Sequence, residues 1–368
     1  MAFQLPAYLA PDFSKKPFTD APLARFEAVE KDGVAPDGYH GTSVFPEYLQ
    51  VAKGDWRLLT ESRMDSVVVL DKQDRLEVKE FRRLKKGDLV AVGRKENAEE
   101  GIYVHTGAFR FEGQEGEKFA FRSNRTRETS FSIDYDELYD LLCHERDNGF
   151  ILWVLGPAVV FDHDAREAFA GLIGEGFVSG LMAGNALATH DIEGAIYGTA
   201  LGQELYNKRA AEQGHYKHLD ALNRIRAAGS IDAAIDNGMI TNGIMRSVLA
   251  FDIPYVLAGS IRDDGPLPEV VANVYDAQDR MRILTRRATT VIALATQLHT
   301  IATGNMTPSY TVSASGQPRP VYFYSVDMSE FAVNKLSDRG SLTAKSILTN
   351  VQDFVVTLSR GLTRRCGK

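Results

Sequence analysis

Five runs of near-continuous hydrophobic residues punctuate the second half of the chain: FILWVLG (150–156), VSGLMAG (178–184), IPYVLAG (253–259), TVIALAT (290–296) and VYFYSVD (321–327). Each is short and lacks strict alternation with polar residues, the pattern of strands buried on both faces. Between them apolar positions recur at helical spacing, in HDAREAFAGLIGEG, HLDALNRIRAAG, LPEVVANVYDAQDRMRIL, FAVNKLSDRG and TNVQDFVVTLSRGL. DYDELYDLLCHERDNG, with an Asp-rich start and a Gly stop, predicts a helix leading into the first run. Strands alternating with helices predict an α/β domain over 131–368, its parallel sheet covered on both faces.

Upstream the pattern changes. SVVVLD (66–71), RLEVKEF (75–81) and DLVAVGR (88–94) are separated by charged turns, and alternating aromatics follow from 97 to 124. This texture predicts a smaller, mostly-β domain over 26–130. Residues 1–25 hold four prolines and little periodicity, which predicts an extended arm.

Composition narrows the function classes. The 368 residues suit two domains, and 44% hydrophobic with 25% charged residues suits a soluble globular protein. A formal net charge of −7 gives no electrostatic footprint for nucleic acid, and no apolar run approaches the ~20 residues of a membrane span. The opening MAFQLPAYLAPDFSKKPF does not read as a secretory signal. Only Cys143 and Cys366 occur, so neither a disulfide framework nor a cysteine metal site is expected, and a reducing cytoplasm fits.

In an open parallel sheet ligands bind beyond the carboxyl ends of the strands. Here each run ends in Gly or small polar residues: GPA, AGNALATHD, AGSIRDDG, ATQLHTIATGNM and the terminal Asp327. Gly permits close backbone approach, and helix-start N–H groups favour a phosphate, a role open to the backbone at His299. Asp327 reads equally as a ribose acceptor or as a helix N-cap. RDDG reads as a surface turn or as a site at the mouth of the sheet. His190 and Asp191 read as an acid–base pair or as helix capping. His215 and His218 lack an obvious third ligand, so a polar junction or substrate contact is preferred to a metal, and no metal is expected. No G-x-G-x-x-G follows the first strand, and no G-x-S-x-G, Walker loop or H-E-x-x-H is present.

GPAVV, AGNALATHDIEGAIYGTALG, GHYKHLDALNRIR, VLAGSIRDDGPLPEVV, LATQLHTIATGNM and KLSDRGS together resemble the LOR/SDH bifunctional enzyme conserved-region family. That family includes archaeal-type ornithine cyclodeaminases and the C-terminal part of cyanobacterial arginine dihydrolase/ornithine cyclodeaminases. The resemblance implies a Rossmann-like, deoxyhypusine-synthase-like NAD-binding domain, a homo-oligomer and a small amino-acid substrate. It implies cofactor contacts from Asn185, Ala186, Asp263 or Asp264, Thr296, Gln297, Leu298, His299, Asn305 and Asp327. The implied reaction converts L-ornithine to L-proline and ammonia by transient Cα oxidation, cyclisation and reduction. For it the candidates are Asp263 or Asp264 as base, Arg262 or Arg63 for the carboxylate, and Asp65 for the distal amine. The chain departs from the family pattern at Ser66, where a cysteine is usual, and along 40–46. These departures keep open a different amino acid or diamine as substrate, or a non-catalytic NAD-binding sensor.

Overall fold

The computed structural model describes residues 3–110, 131–263, 265–313, 316–329 and 342–366. Asp264, the FAVNKLSDRG helix, the KLSDRGS motif and the stretch after Arg110 in the β-rich half therefore lie outside the described residues. The five apolar runs form strands β1 (Ile151–Leu155), β2 (Gly180–Gly184), β3 (Tyr255–Ala258), β5 (Thr290–Leu294) and β6 (Tyr322–Asp327). Two further strands, β4 (Val270–Val271) and β7 (Ala344–Leu348), extend the sheet at its edges. The pattern had read Val270 and Val271 as the start of a helix. Instead they pair with Leu257 and Ala258, and the helix begins only at Val274, capped by Asn273.

The seven strands lie in the order β4-β3-β2-β1-β5-β6-β7, every pairing parallel. The chain builds outward from β1 to β4, then restarts beside β1 with β5. The strand order reverses between β1 and β5, and an open α/β sheet presents its ligand crevice there, beyond the carboxyl ends.

Alternation sends Ile151, Trp153 and Leu155 to one face and Leu152 and Val154 to the other. The first face packs on α1 (Phe131–Asn148), α2 (His163–Gly174) and α9 (Val351–Cys366). The second packs on α7 (Val274–Thr285) and, through Met306, on α8 (Gln297–Met306). Trp153 is fully buried, and its Nε1 donates to the carbonyl of Phe177 at 2.8 Å, so the ring carries no unsatisfied polar atom. Between β2 and β3 the chain makes α3 (Asn185–Tyr197), α4 (Gly214–Ala228), α5 (Ile231–Asp236) and α6 (Ile244–Ala250). Packing of α1 on α9 brings Cys143 and Cys366 together as a disulfide with Cα atoms 6.0 Å apart. No disulfide framework is expected from two cysteines, and a separation of 223 residues gives no means to foresee this single bridge.

The residues from Arg25 to Val104 form antiparallel sheets, one of four strands and one of three. The aromatic rings of Phe13 and Phe18 pack on Tyr48, Trp56 and Tyr103, which ties the N-terminal residues down. A small sheet stitches this β unit to the parallel sheet: Glu61–Ser62 pairs with Tyr310–Val312, which pairs with Pro318–Pro320. Those last two strands belong to the connection that enters β6 at its start. The β unit thus meets the parallel sheet at the amino ends of its strands, opposite the edge where a ligand crevice belongs.

Candidate functional site

Three strand ends converge at the carboxyl edge. A Cβ on Gly156, just after β1, would lie 2.0 Å from the carbonyl oxygen of Ala295, just after β5. Only glycine lets the two backbones approach this closely at the point where the strand order reverses. A Cβ on Gly184, at the end of β2, would lie 2.9 Å from Cε1 of His299. The missing side chain makes room for the imidazole, so α8 begins directly over β2.

Helix α8 opens on Thr296, whose side chain makes no capping hydrogen bond. The first-turn N–H groups of Gln297, Leu298 and His299 have no partner within the helix and sit at its positive end. Such a set fits a phosphate or pyrophosphate without a glycine-rich loop. Burial holds the His299 imidazole below the ordinary histidine range, and the nearby Asp263 carboxylate partly opposes this. His299 and Asp263 therefore share one mouth.

The RDDG stretch is a compact turn. Oδ2 of Asp263 accepts from the backbone N–H of Ser260 at 2.8 Å, and the Arg262 N–H donates to Oγ of Ser260 at 3.2 Å. Arg262 itself is exposed. Oδ1 of Asn185 accepts from the backbone N–H of Leu267 at 3.1 Å, which fastens the 260–267 loop to the start of α3. Ala186 follows it in the first turn of that helix. Asp327 ends β6 with Oδ1 accepting from the N–H of Ser329 at 2.8 Å.

The candidates do not all gather here. Asn305 lies near the C-terminus of α8, and six residues at about 1.5 Å each separate it from His299 by roughly 9 Å along the axis. Its carbonyl accepts from Nη1 of Arg63 at 3.3 Å. Arg63 is buried against Glu80, and Asp65 sits exposed beside it in the left-handed region (φ 64°). Both belong to the β unit, at the opposite edge from His299.

His190 and Asp191 face apart, because neighbours on a helix do not share a side. Asp191 is fully buried. Its Oδ1 accepts from Nε of Arg166 at 2.6 Å and from Ile244 N–H at 3.0 Å, and Oδ2 accepts from Met245 N–H at 2.7 Å. It is a brace between α2 and the start of α6. His190 instead reaches Glu193, three residues on and on the same helix face, with Nδ1 2.8 Å from Oε2. Glu193 is fully buried and also accepts from Thr199 Oγ1 and from the backbone N–H groups of Leu201 and Gly202. The His190 ring lies beside Phe161 and His218. The i, i+3 spacing was the available signal for this dyad. Among the described residues no group of three or more His, Cys, Asp or Glu could hold a metal ion.

The family described as arginine dihydrolase ArgZ-like, C-terminal, Rossmann fold matches residues 138–358. An ornithine cyclodeaminase of Methanocaldococcus jannaschii is 40% identical over 340 residues, covering 90% of this chain and 76% of that protein. The bifunctional arginine dihydrolase/ornithine cyclodeaminase ArgZ of Synechocystis is 35% identical over 344 residues, 91% of this chain and 46% of its own length. The crystal structure of an LOR/SDH protein from Methanococcus maripaludis superposes with a TM-score of 0.84 at 35% identity, covering 94% of this chain and 99% of that one. A ternary complex of AgrE with ornithine and NAD+ superposes with a TM-score of 0.59 at 32% identity, covering 95% of this chain and 47% of that one. The sheet order, the glycine-lined crevice and these likenesses agree: the chain belongs to the ArgZ-like C-terminal Rossmann-fold family, alongside the archaeal ornithine cyclodeaminases.

Proposed function

We propose that the protein is an NAD-dependent ornithine cyclodeaminase, a cytoplasmic ammonia-lyase-type enzyme that converts L-ornithine to L-proline and ammonia. The observation that carries this reading is the meeting of Gly184, the Asp263 turn and the open N-terminus of α8 in one mouth. The donor set fits the cofactor. The N–H groups of Gln297, Leu298 and His299 would take the pyrophosphate, and Asp327, oriented by Ser329, the ribose hydroxyls. When bound, NAD supplies a hydride acceptor and donor, so the net reaction needs no second redox partner.

The chain supplies the rest. Asp263, or its neighbour Asp264, takes the proton from the substrate α-amine, and Arg262 on the same turn neutralises the α-carboxylate. Asn185 is a positioning residue, since it holds the loop that carries them. Neutral His299 can donate or accept a hydrogen bond without adding a charge beside the reacting carbon. Arg63 is committed to Glu80 and Asn305, so we assign it to holding the β unit. Ser66 and Asp65 also stand in that unit, away from the mouth within one chain, so the Ser66 departure weighs little against ornithine. We keep the 26–130 and 131–368 division as the two domains and expect a homo-oligomer. In a reducing cytoplasm Cys143 and Cys366 would rest as adjacent thiols.

The test uses the purified protein. Bound nucleotide is released by denaturation and identified, and ornithine turnover is followed with and without added NAD+. Equal proline and ammonia with no net NADH is the expected outcome. NADH accumulating in step with ornithine loss would overturn the cyclodeaminase reading in favour of a dehydrogenase, and bound NAD without turnover would favour another substrate or a sensor.

A further inference from the structure

A cavity of about 520 Å³ opens between the β unit and α7, lined on the β side by residues 60–61, 76–79, 82–83 and 85 and on the helix by Asp279 and Arg286. Its charges do not balance. Arg82 and Arg83 both end on Asp279, and Arg83 also reaches Glu80 at 3.3 Å. Arg286 pairs with Glu61 at 3.0 Å. Directly behind, Arg63 and Arg282 share Glu80. Five arginines thus divide three carboxylates: Glu61, Glu80 and Asp279. Asp65, exposed next to Arg63, adds one more negative charge and still leaves an excess of cations. Lys79 and Lys85 on the rim face Glu77, Asp88 and Asp32, so the wider shell is neutral. The excess lies in the lining itself, where Lys79, Arg82, Arg83, Lys85 and Arg286 stand against Glu61, Glu77 and Asp279.

Arginine cannot shed its proton at any ordinary pH, and a buried charge without a partner is costly. Arg282 is only 6% exposed. Burial and mutual repulsion among these arginines push both Arg63 and Arg282 down to about 10. The remedy open to such a cluster is an anion from solution. Guanidinium groups suit it, since their planar forks match carboxylate and phosphate oxygens two at a time.

We propose that this cavity binds a small, multiply charged anion, a phosphate compound or a polycarboxylate, through Arg82, Arg83 and Arg286. The volume falls in the range of small-metabolite sites. The ligand would bridge the β unit to the helix that feeds β5, at the edge of the sheet away from His299. It would tighten the seam between the two halves of the chain, and the site does not depend on which reaction the cofactor mouth performs.

The experiment is thermal unfolding of the full chain with NAD+ saturating, so that the cofactor's own phosphate site is filled. Pyrophosphate and citrate are titrated separately at constant ionic strength. Binding is expected to raise the midpoint by about 2 °C or more at tenfold excess over Kd. A response to pyrophosphate alone assigns a phosphate ligand, and a response to both assigns a general polyanion. The double variant Arg82→Gln/Arg286→Gln should lose the response. Asp279→Asn, which removes a competing carboxylate, should bind several-fold more tightly. No response to either anion, a response that survives in the double variant, or binding by Asp279→Asn no tighter than in the parent would each overturn the proposal.

Discussion

Replacing Asp191 with asparagine separates two roles that one carboxylate in a motif rich in polar residues could play. In the structure its oxygens take three donors, Arg166 Nε and the first two N–H groups of α6. Arg166 is 2% exposed, so the substitution leaves its buried guanidinium with only the half-exposed Glu167, 3.6 Å from Nη1, as an opposite charge. The geometry around it is fixed, since a Cβ on Gly243 would lie 2.0 Å from Nη2 of Arg166, and the cluster cannot relax inward. Breaking one side of a buried pair costs about 3–5 kcal/mol, which at roughly 2 °C per kcal/mol for a chain of this size lowers Tm by about 6–10 °C. Differential scanning fluorimetry reads that loss. Turnover at 20 °C, where the variant remains folded, should stay within about twofold of the parent, because Asp191 touches neither the cofactor mouth nor His190. A variant with unchanged Tm and turnover reduced a hundredfold would refute the structural assignment and return Asp191 to the chemistry.

Gly156→Ala forces a Cβ against the Ala295 carbonyl at 2.0 Å and should abolish NAD binding or folding outright, read by equilibrium dialysis and circular dichroism. Burial lowers the His299 pKa, so the folded state holds fewer protons than the unfolded chain just below pH 6.5. Stability from this group is complete above that pH and falls as pH drops towards the folded value, a slope that His299→Gln should remove from the pH dependence of Tm. Asp263→Asn should lower the His299 pKa further, seen in an NMR titration of the ring, since Asp263 is the group that raises it. Ser66 is buried with no hydrogen-bond partner for Oγ among the described residues, so Ser66→Cys should stabilise the protein by about 1 kcal/mol in denaturant titration.

The hydrophobic pattern by itself determined the five central strands and most of the helices between them, because a strand buried on both faces has no polar position to interrupt it. It also marked the strand ends, where Gly156, Gly184 and the RDDG turn break each run. The family motifs added the cofactor from residues alone. What it could not determine was set by contacts between distant segments. Val270 and Val271 are too few to announce a strand and become one only because β3 offers an unpaired edge. The reaction that the resemblance implies groups Arg63 and Asp65 with Asp263. Their place at the opposite edge follows from the stitch of Glu61–Ser62 to Tyr310–Val312, a pairing across some 250 residues that carries no local signature. The partner of His190 was within reach of sequence logic, since helix geometry favours Glu193 over Asp191. That Glu193 would be fully buried with its oxygens satisfied depended on the loop that folds Thr199, Leu201 and Gly202 around it, and only the tertiary structure supplies those donors.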